Sequence, residues 1–494
     1  MWKIQGLLAD IEGAYFKNYD HLDQKIDNFE YFSGHLNRRT DYSTTLFVCI
    51  TPERRSYINR KKVSWRDGNE QIRGRENDFG LIVTEKPIED LSVNTPQFIV
   101  KNSWEFLINI SKKIRNSYEK PVIAITGSAG KTSTRMMISH VFEKETVLEN
   151  RGNHNVRFAI PLYLSKLVSD PDILNLEVSV NALNSHDTGS MSLLIQPDIA
   201  IVTSIGEAHL SSLKDTIGVA RHKAKIFEGL KRNGTAIINT DIGEKELEIL
   251  MNAARKRTTD ILTYSLIDPT NDVFLIQTKQ KRDFCEVVFS FFGQKRTMNL
   301  AVASAGMISN AFATLLAIWK IKGEIDSYLT AFETFKPLTK ILDKTIYSSP
   351  SGANFTFIDD THNASLPAMK NAIAYFDEIQ PFYQGTSILV LGQIADLGNT
   401  AKKIHESLKE PIENSNADYI LGYGEHFKAI FQEEQMLHDN FQWFATLQEL
   451  TDRLEELLNE DSLILAKGSV TGSDFHEIDR YIRKMANKKS LTVG

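Results

Sequence analysis

The stretch ITGSAGKTST, from Ile125 to Thr134, decides the fold of this 494-residue chain. A short apolar run precedes it, and the segment RMMISHVFE after it carries apolar residues at helical spacing. This pattern predicts a strand, a glycine-containing turn and the start of a helix. Backbone N–H groups at such a helix start are unpaired and favour a bound phosphate. We therefore expect a phosphate-binding site at this turn.

The side chains of the turn match the chemistry of a nucleoside triphosphate. Gly127 and Gly130 allow a tight turn and a close approach to an anion. Lys131 can reach the terminal phosphates, and the Thr132 hydroxyl can ligate a phosphate-bound Mg²⁺. The alternative is a glycine turn with a solvated lysine, but the order of strand, turn, Lys-Thr and helix favours ATP or a close relative. The predicted ATP-binding residues of the loop are Gly127, Ser128, Gly130, Lys131, Thr132 and Ser133.

Composition narrows the class of protein. A net charge of −6 gives no basic surface for nucleic acid, and the basic cluster at 54–62 reads as a solvated surface. Only two cysteines, Cys49 and Cys285, argue against a disulfide framework or a cysteine-based metal site. The longest mostly apolar stretch is shorter than the ~20 residues that span a bilayer, and the N-terminus has no secretory pattern. We expect a cytoplasmic protein with small-molecule substrates, no nucleic-acid partner and no membrane insertion.

The order of apolar runs predicts an α/β protein with three domains. From about residue 101 to 240, strands alternate with helical periods, the signature of a parallel sheet with helices on both faces. An antiparallel excursion, a long helix and a second alternating series follow. We predict a small N-terminal α/β domain that binds substrate at 1–100 and a central, P-loop-type ATP-binding domain with a mostly parallel sheet at 101–338. A C-terminal Rossmann-like α/β domain is predicted at 339–494.

Polar residues follow two strands of the predicted central sheet. Glu177 ends the strand in LEVS, and His209 follows the strand in IVTSIGEAHL. Doubly wound sheets place ligands at the carboxyl ends of their strands, and a nucleotide-bound metal prefers oxygen ligands with occasional imidazole. Taken singly, Glu177 could cap a turn and His209 could be a packed or surface histidine. Together with Thr132 at the same sheet edge, they form a candidate Mg²⁺ site.

The motif RGNHN, residues 151 to 155, follows a short strand and precedes a helix. Asn153 and Asn155 are natural turn and capping residues. Their amides, which both donate and accept hydrogen bonds, could instead contact substrate or phosphate. Both interpretations stay open at this point.

Five segments in order, TGSAGKTS, RGNHN, LEVS, TSIGEAHL and ARHKAKIFEGLKRNGTAIINTD, resemble the central ATPase domain of the Mur ligases. The resemblance continues through IDDTHNASLPAM, LVLGQIADLGNTAKKIHESL and LAKGS, and so runs from about Pro121 to Ser473. It implies the ATP-dependent joining of a carboxylate to an amine through an acyl phosphate. Within the family, it implies the addition of D-alanyl-D-alanine to UDP-N-acetylmuramoyl-tripeptide in peptidoglycan precursor synthesis.

The resemblance also implies roles for single residues. It makes Lys131, Glu177, His209 and Lys223 the catalytic set, with Thr132, Glu177 and His209 on Mg²⁺. Lys223 stands where the family has a lysine carbamoylated by CO₂, whose new carboxylate helps to hold a second metal; from spacing alone, an exposed helix lysine is the alternative. The remaining implied residues are Asn310 near the adenine, Asp359 and Asn363 over the nucleotide, and Asn153, Asn155 and His405 toward substrate.

Several residues depart from the family pattern. Lys225 stands where an acid is usual, Ser204 where an asparagine is usual, and Lys340 and Val470 where arginines are usual. The segment NRRTDYSTTLFVCI resembles the family's UDP-binding domain only in part, so the N-terminal domain is predicted to be a degenerate UDP-binding-like domain. Two alternatives remain: a Mur-like ligase of a specialised pathway with a different acid and amine, or an ATP-binding regulatory protein without catalysis.

Overall fold

The computed structural model of the chain describes residues 2–15, 22–38, 41–152, 154–187, 189–206, 213–302, 304–337, 339–435 and 440–486. The predicted site residues Asn153 and His209 lie outside this part of the chain. Contacts divide the chain into two compact units, Met1–Asp272 with Ala313–Glu324, and Val273–Phe312 with Ile325–Gly494. The predicted domain seams at residues 100 and 338 stay a prediction.

The central sheet of the first unit is parallel and contains the predicted phosphate-binding turn. Its four inner strands are buried along their whole length, as expected for a sheet covered by helices on both faces, whereas the edge strand Val147–Glu149 is only half-buried. The strand that precedes the turn lies inside the sheet, between two partners. In spatial order the strands are Ile261–Ser265, Thr235–Asn239, Ile199–Val202, Val122–Thr126, Ile173–Glu177 and Val147–Glu149.

A second, smaller sheet lies in the N-terminal part of the same unit. Four of its strands are parallel, and one short strand is antiparallel at the edge. In order they are Ala14–Tyr15, Gln97–Ile99, Leu81–Thr84, Thr45–Val48 and Asn28–Glu30. A separate antiparallel pair, Trp2–Lys3 with Lys25–Ile26, lies outside this sheet.

The second unit contains an antiparallel group and a six-stranded sheet. The antiparallel strands are Val273–Gln280, Cys285–Phe291 and Gln294–Leu300, the last of which the sequence did not predict. In the six-stranded sheet, all neighbours pair in parallel except the first two strands. Its order is Asp343–Ser348, Asn354–Asp360, Ser462–Lys467, Ser387–Gly392, Tyr419–Tyr423 and Phe441–Phe444. The predicted α/β class with mostly parallel sheets is confirmed.

Local sequence explains where the helices begin. The Asn102 side chain accepts hydrogen bonds from the backbone of Trp104 and Glu105, both at 3.1 Å, and so caps the helix that follows. Pro161 lies in the first turn of its helix, where a missing N–H costs nothing. The α-helices are Ile4–Leu8, Pro52–Asn59, Gly68–Gln71, Ser103–Asn116, Lys131–Val141, Ile160–Ser165, Val180–Leu183, Ser192–Ile195, Thr216–Lys223, Glu244–Arg255, Ala305–Lys322, Ala331–Thr334, Leu366–Ile379, Ala401–Glu406, Lys409–Glu413, Glu425–Gln435, Leu447–Leu457 and Ile478–Ala486. Among the described residues, no helix combines the length and the apolar character needed to cross a bilayer.

One buried arginine ties the end of the helix Ser103–Asn116 to the end of the helix Ser192–Ile195. Arg115 is 2% exposed, and its guanidinium donates to three backbone carbonyls, those of Ile195 (2.7 Å), Tyr118 (2.8 Å) and Gln196 (2.7 Å). Because these carbonyls lie where the chain leaves its helices, they have few other donors available. The arginine therefore satisfies three acceptors at once.

Replacing this arginine should destabilise the first unit. Arg115→Met would leave the three carbonyls without their donor, and we expect a loss of about 3 kcal/mol or more in the free energy of unfolding. Urea denaturation followed by circular dichroism measures this loss. The control is Lys112→Met on the exposed face of the same helix, which should change stability by less than about 0.5 kcal/mol. Equal unfolding midpoints for the two variants would contradict the assigned role.

Candidate active site

The predicted turn forms an open helix start at the carboxyl end of the strand Val122–Thr126. Gly130 has a φ of 84°, in the left-handed region that favours glycine, and no side chain caps the helix. Thr134 donates the first helical hydrogen bond, to the Gly130 carbonyl at 2.8 Å. The N–H groups of residues 131–133 therefore precede the helical hydrogen bonds and point out of the helix end. This geometry suits an anion such as phosphate.

The loop is held in place by the next strand of the sheet. A Cβ atom on Gly127 would lie 1.9 Å from Thr203 Oγ1, so only glycine fits there. Thr203 Oγ1 donates to the Ala129 carbonyl at 2.5 Å. Ser204 Oγ accepts from the Ala129 N–H at 2.8 Å, and the Ser204 carbonyl accepts from the Ser128 N–H at 2.9 Å. These contacts fix the shape of the loop before any ligand binds.

Lys131 lies inside the turn. Its ammonium donates to the Gly127 carbonyl at 2.7 Å. Burial lowers the pKa of Lys131, and the negative charge of Glu177 opposes that shift. The ammonium thus lies over the loop, where the sequence predicted contact with terminal phosphates.

Glu177 connects the turn to the RGNHN segment. Its Oε2 accepts from the Thr132 hydroxyl at 2.7 Å, and its Oε1 accepts from the Asn155 amide at 2.7 Å. The carboxylate is 4% exposed, so these bonds form in a poorly hydrated place. The structure therefore brings Thr132, Glu177 and Asn155 together at one edge of the sheet.

Asn150 is a site residue that the sequence analysis missed. Its amide donates to the Glu177 carbonyl (2.8 Å) and the His154 carbonyl (3.0 Å), and its Oδ1 accepts from the Glu177 N–H (2.8 Å). Asn150 thereby ties the loop after the strand Val147–Glu149 to the end of the neighbouring strand Ile173–Glu177. The sequence did contain a signal for this role, because Asn150 is a polar residue that follows a short predicted strand and directly precedes the RGNHN motif.

Lys223 ends the helix Thr216–Lys223 and is 1% exposed, so the alternative of an exposed helix lysine is wrong. Burial holds the pKa of its amine at about 7, and the charge of Lys131 adds to the effect. Among the residues that the structure describes, Lys223 has no ion pair. A buried lysine with this pKa is substantially neutral at physiological pH and can act as a nucleophile.

The donor atoms at this sheet edge suit a hard cation. The Thr132 hydroxyl and the Glu177 carboxylate are oxygen ligands of the kind that Mg²⁺ prefers. Within the described ranges, no group of three or more His, Cys, Asp or Glu side chains comes together as a metal site. His209, the third predicted ligand, lies outside those ranges.

Three of the predicted nucleotide-binding residues, Asp359, Asn363 and Asn310, lie in the second unit. Asp359 lies in the last two residues of the strand Asn354–Asp360, and Asn363 follows the strand and is exposed. Burial raises the pKa of Asp359, against hydrogen bonds from Thr361 that lower it. Asn310 lies in the helix Ala305–Lys322 and is 6% exposed.

His405 lies apart from any open surface, in contrast to its predicted contact with substrate. The ring is fully buried; its Nε2 accepts from the Ile394 N–H at 3.0 Å, and its Nδ1 donates to the Ala401 carbonyl at 2.8 Å. Both ring nitrogens are thus occupied by backbone groups. This histidine fixes the segment after the strand Ser387–Gly392, and sequence spacing could not distinguish that role from a ligand role.

The residues that depart from the family pattern have their own contacts. Lys225 donates to the Ser185 hydroxyl at 3.0 Å. The Lys340 ammonium donates to the His476 carbonyl and lies 3.6 Å from Asp479. Val470 is 41% exposed. Lys225 and Lys340 each therefore have polar partners, and Lys340 takes a left-handed φ of 65°.

Comparison with known proteins gives the same family for both halves. Residues 125–318 match the Mur ligase middle domain, and residues 346–470 match the Mur ligase, glutamate ligase domain. The UDP-N-acetylmuramoyl-tripeptide–D-alanyl-D-alanine ligase of Escherichia coli is 26% identical over 404 residues, which are 79% of this chain and 82% of the relative. The enzyme of the same name from Bacillus subtilis is 26% identical over 402 residues, 80% of this chain and 83% of the relative.

Solved structures share the fold over nearly the whole chain. MurF of Acinetobacter baumannii superposes with a TM-score of 0.76 at 21% identity and covers 99% of each chain. MurF of Thermotoga maritima in complex with ADP gives a TM-score of 0.70 at 19% identity, covering 94% of this chain and 98% of that one. Because the two family models match more than half of the sequence, in the order expected for one protein, the chain belongs to the Mur ligase family.

Proposed function

We propose that this chain is an ATP-dependent ligase that joins D-alanyl-D-alanine to UDP-N-acetylmuramoyl-tripeptide. The observation that carries the proposal is the contact of Thr132 and Asn155 with the two oxygens of Glu177, beside an open helix start. This arrangement puts a loop with available backbone N–H groups, a pair of oxygen ligands and an amide donor at one edge of the sheet, which supports the proposal. The names of the relatives supply the acid and the amine.

The chemistry follows from the poor leaving group of a free carboxylate. The carboxylate oxygen of the acid attacks the γ-phosphorus of ATP, and the bond between that phosphorus and the bridging oxygen breaks to release ADP. The resulting acyl phosphate has phosphate as its leaving group. The amine then attacks the carbonyl carbon, the C–O bond to phosphate breaks, and a proton leaves the nitrogen to give the amide.

The residues of the loop would stabilise the charge that moves in the first step. The N–H groups of residues 131–133 and the Lys131 ammonium would bind the β- and γ-phosphates, with Lys131 exchanging its Gly127 carbonyl for a phosphate oxygen. Thr132 and Glu177 would hold Mg²⁺, which when bound neutralises part of the charge on the transferred group. The Asn155 amide would orient the acid.

Lys223 would serve as a carbamate. Its neutral amine can add to CO₂ with release of a proton, which converts a buried base into a buried carboxylate. Such a group would offset the positive charge of Lys131 and add an oxygen ligand at the metal site. The burial of Lys223 and its pKa of about 7 support this role.

The proposed acid and amine can be tested directly. Purified protein with ATP, Mg²⁺ and UDP-N-acetylmuramoyl-tripeptide should release phosphate only when D-alanyl-D-alanine is also present. Turnover that requires a different acid or amine would support a specialised Mur-like ligase. Tight ATP binding without turnover under any condition would support a regulatory protein.

Lys131→Ala should abolish ligation while the protein stays folded. The substitution removes the cation that offsets charge on the transferred phosphoryl group, and we expect turnover to fall by at least about 10³-fold. The measurement is phosphate release under saturating substrates, with circular dichroism as the check on folding. The matched control, Lys144→Ala, removes an exposed lysine just beyond the same helix and should keep wild-type turnover. Ligation by Lys131→Ala at the control rate would refute the assigned site.

The ligation rate should fall as pH drops below about 7. The pKa of Lys223 is lowered to about 7, so its amine is neutral above that value and protonated below it. Only the neutral amine forms a carbamate, so we expect activity to fall about tenfold per pH unit below 7 and to recover partly with added bicarbonate. Lys225→Met, which changes a neighbouring solvent-accessible lysine, should keep the same profile. A ligation rate that changes neither with pH between 6 and 8 nor with added bicarbonate would contradict carbamate formation on Lys223.

A further inference from the structure

The segment 178–189, which follows Glu177 along the chain, is attached to the residues of the proposed ligation site. The Ser179 N–H donates to the Asn155 carbonyl at 2.9 Å. Asn155 in turn donates its amide to Glu177 at 2.7 Å, and Glu177 also accepts from the Thr132 hydroxyl at 2.7 Å. A shift of this segment would therefore move the carboxylate and the amide that meet at the site.

The same segment is attached to the helix that carries Lys223. His222, the neighbour of Lys223, is 8% exposed, and its Nε2 lies 3.0 Å from the Val180 carbonyl. A carbonyl can only accept, so Nε2 carries the proton of this hydrogen bond. Lys223 itself lies close enough to Lys131 for their positive charges to interact. The segment thus connects the end of the Glu177 strand to the end of the Lys223 helix.

Arg157 holds the segment by its backbone. The Nη1 group donates to the Asn184 carbonyl at 3.0 Å and to the Gly189 carbonyl at 2.8 Å. The Arg157 N–H donates to Asn181 Oδ1 at 3.0 Å. His186 and Gly189 pair as an antiparallel bridge, so a single guanidinium nitrogen holds the chain where it enters and where it leaves this turn.

The Arg157 guanidinium is a charged group in a poorly hydrated place. It is 3% exposed, and burial, together with the charge of Arg60, lowers its pKa to about 10. Burying a cation costs free energy that a neutral donor would not cost. The two carbonyls belong to half-buried residues beside the exposed Ser185, so water can reach them. Water could replace the hydrogen bonds of Arg157, but it could not fix the position of the segment.

We propose that Arg157 is a positioning residue for the ligation reaction, which fixes the segment 178–189 and thereby keeps Glu177 and the Lys223 helix in place. The inference rests on the proposed function for the reaction whose rate is measured. Loss of Arg157 should leave the nucleotide-binding turn intact, because Thr203 and Ser204 hold that turn independently.

The test combines ligation kinetics with equilibrium binding of ADP to the full-length protein, in Mg²⁺ and in EDTA. Arg157→Met removes both side-chain hydrogen bonds, and we expect kcat to fall about tenfold or more, because small displacements of reacting groups are costly. The KM for ATP and the ADP affinity in EDTA should stay within about twofold of the wild type. The gain in ADP affinity that Mg²⁺ provides should fall by about threefold or more, since Glu177 is no longer held.

Three further variants separate positioning from folding. Arg157→Lys keeps a buried cation with several donors and should recover part of the lost kcat at a thermal stability close to that of the wild type. Arg221→Met removes an exposed arginine from the helix that carries Lys223 and should match the wild type in every assay. His222→Phe removes the other attachment of the segment. Because both residues act through one segment, Arg157→Met combined with His222→Phe should lose little more kcat than the worse single variant.

Two results would overturn the positioning role. The first is an Arg157→Met protein that matches Arg221→Met in kcat and in the effect of Mg²⁺, or whose loss of kcat simply multiplies with that of His222→Phe. The second is a loss of kcat that only accompanies a loss of thermal stability, with no recovery in Arg157→Lys. Absence of ligation by the wild type would overturn the proposed reaction instead, and the ADP measurements would still judge the role of Arg157.

Discussion

The proposed nucleotide site depends on the backbone N–H groups of residues 131–133, which precede the first hydrogen bond of the helix after Gly130. They stay available because Gly130 takes a left-handed conformation and no side chain caps the helix. They stay in place because Thr203 and Ser204 hold the preceding loop by its backbone, and because nothing larger than glycine fits at position 127. A bound phosphate therefore meets donors that need no rearrangement, which is the condition under which electrostatic stabilisation is most effective.

Two buried lysines lie close to this helix end, and bound anions would neutralise their positive charge. Lys131 and Lys223 are both buried and repel each other, and Glu177 is the one described carboxylate that acts on Lys131. Phosphates at the loop would balance Lys131, and a carbamate on Lys223 would turn a destabilising amine into an oxygen donor. Beside the N-terminal sheet, the buried Nη1 of Arg55 likewise has no acceptor among the described residues. Buried positive charges lower the stability of the fold, and Lys131 and Lys223 lie where the proposed ligands would supply negatively charged oxygens.

The sequence predicted the class of fold and most of the nucleotide site because both depend on local signals. Continuous apolar runs predicted the parallel strands, and the G-x-x-G-K-T spacing predicted the helix start with its lysine and threonine. The burial of Lys223 depends on how a helix packs, so spacing alone favoured an exposed side chain. His405 was assigned to substrate by its position in a motif, but its ring nitrogens bond to Ile394 and Ala401, a contact that forms only when the chain folds back. Asn150 was missed for the same reason, since its hydrogen bonds to Glu177 join residues that are distant in sequence.

Transfer of a carboxylate oxygen to phosphate tests the central claim most directly. With ¹⁸O in the reacting carboxylate of UDP-N-acetylmuramoyl-tripeptide, ATP and D-alanyl-D-alanine, mass spectrometry of the released phosphate measures whether an acyl phosphate forms. The account predicts one ¹⁸O atom in each phosphate released, because the C–O bond breaks when the amine attacks. Phosphate without ¹⁸O, produced together with the amide, would contradict activation of the acid by phosphoryl transfer at this loop.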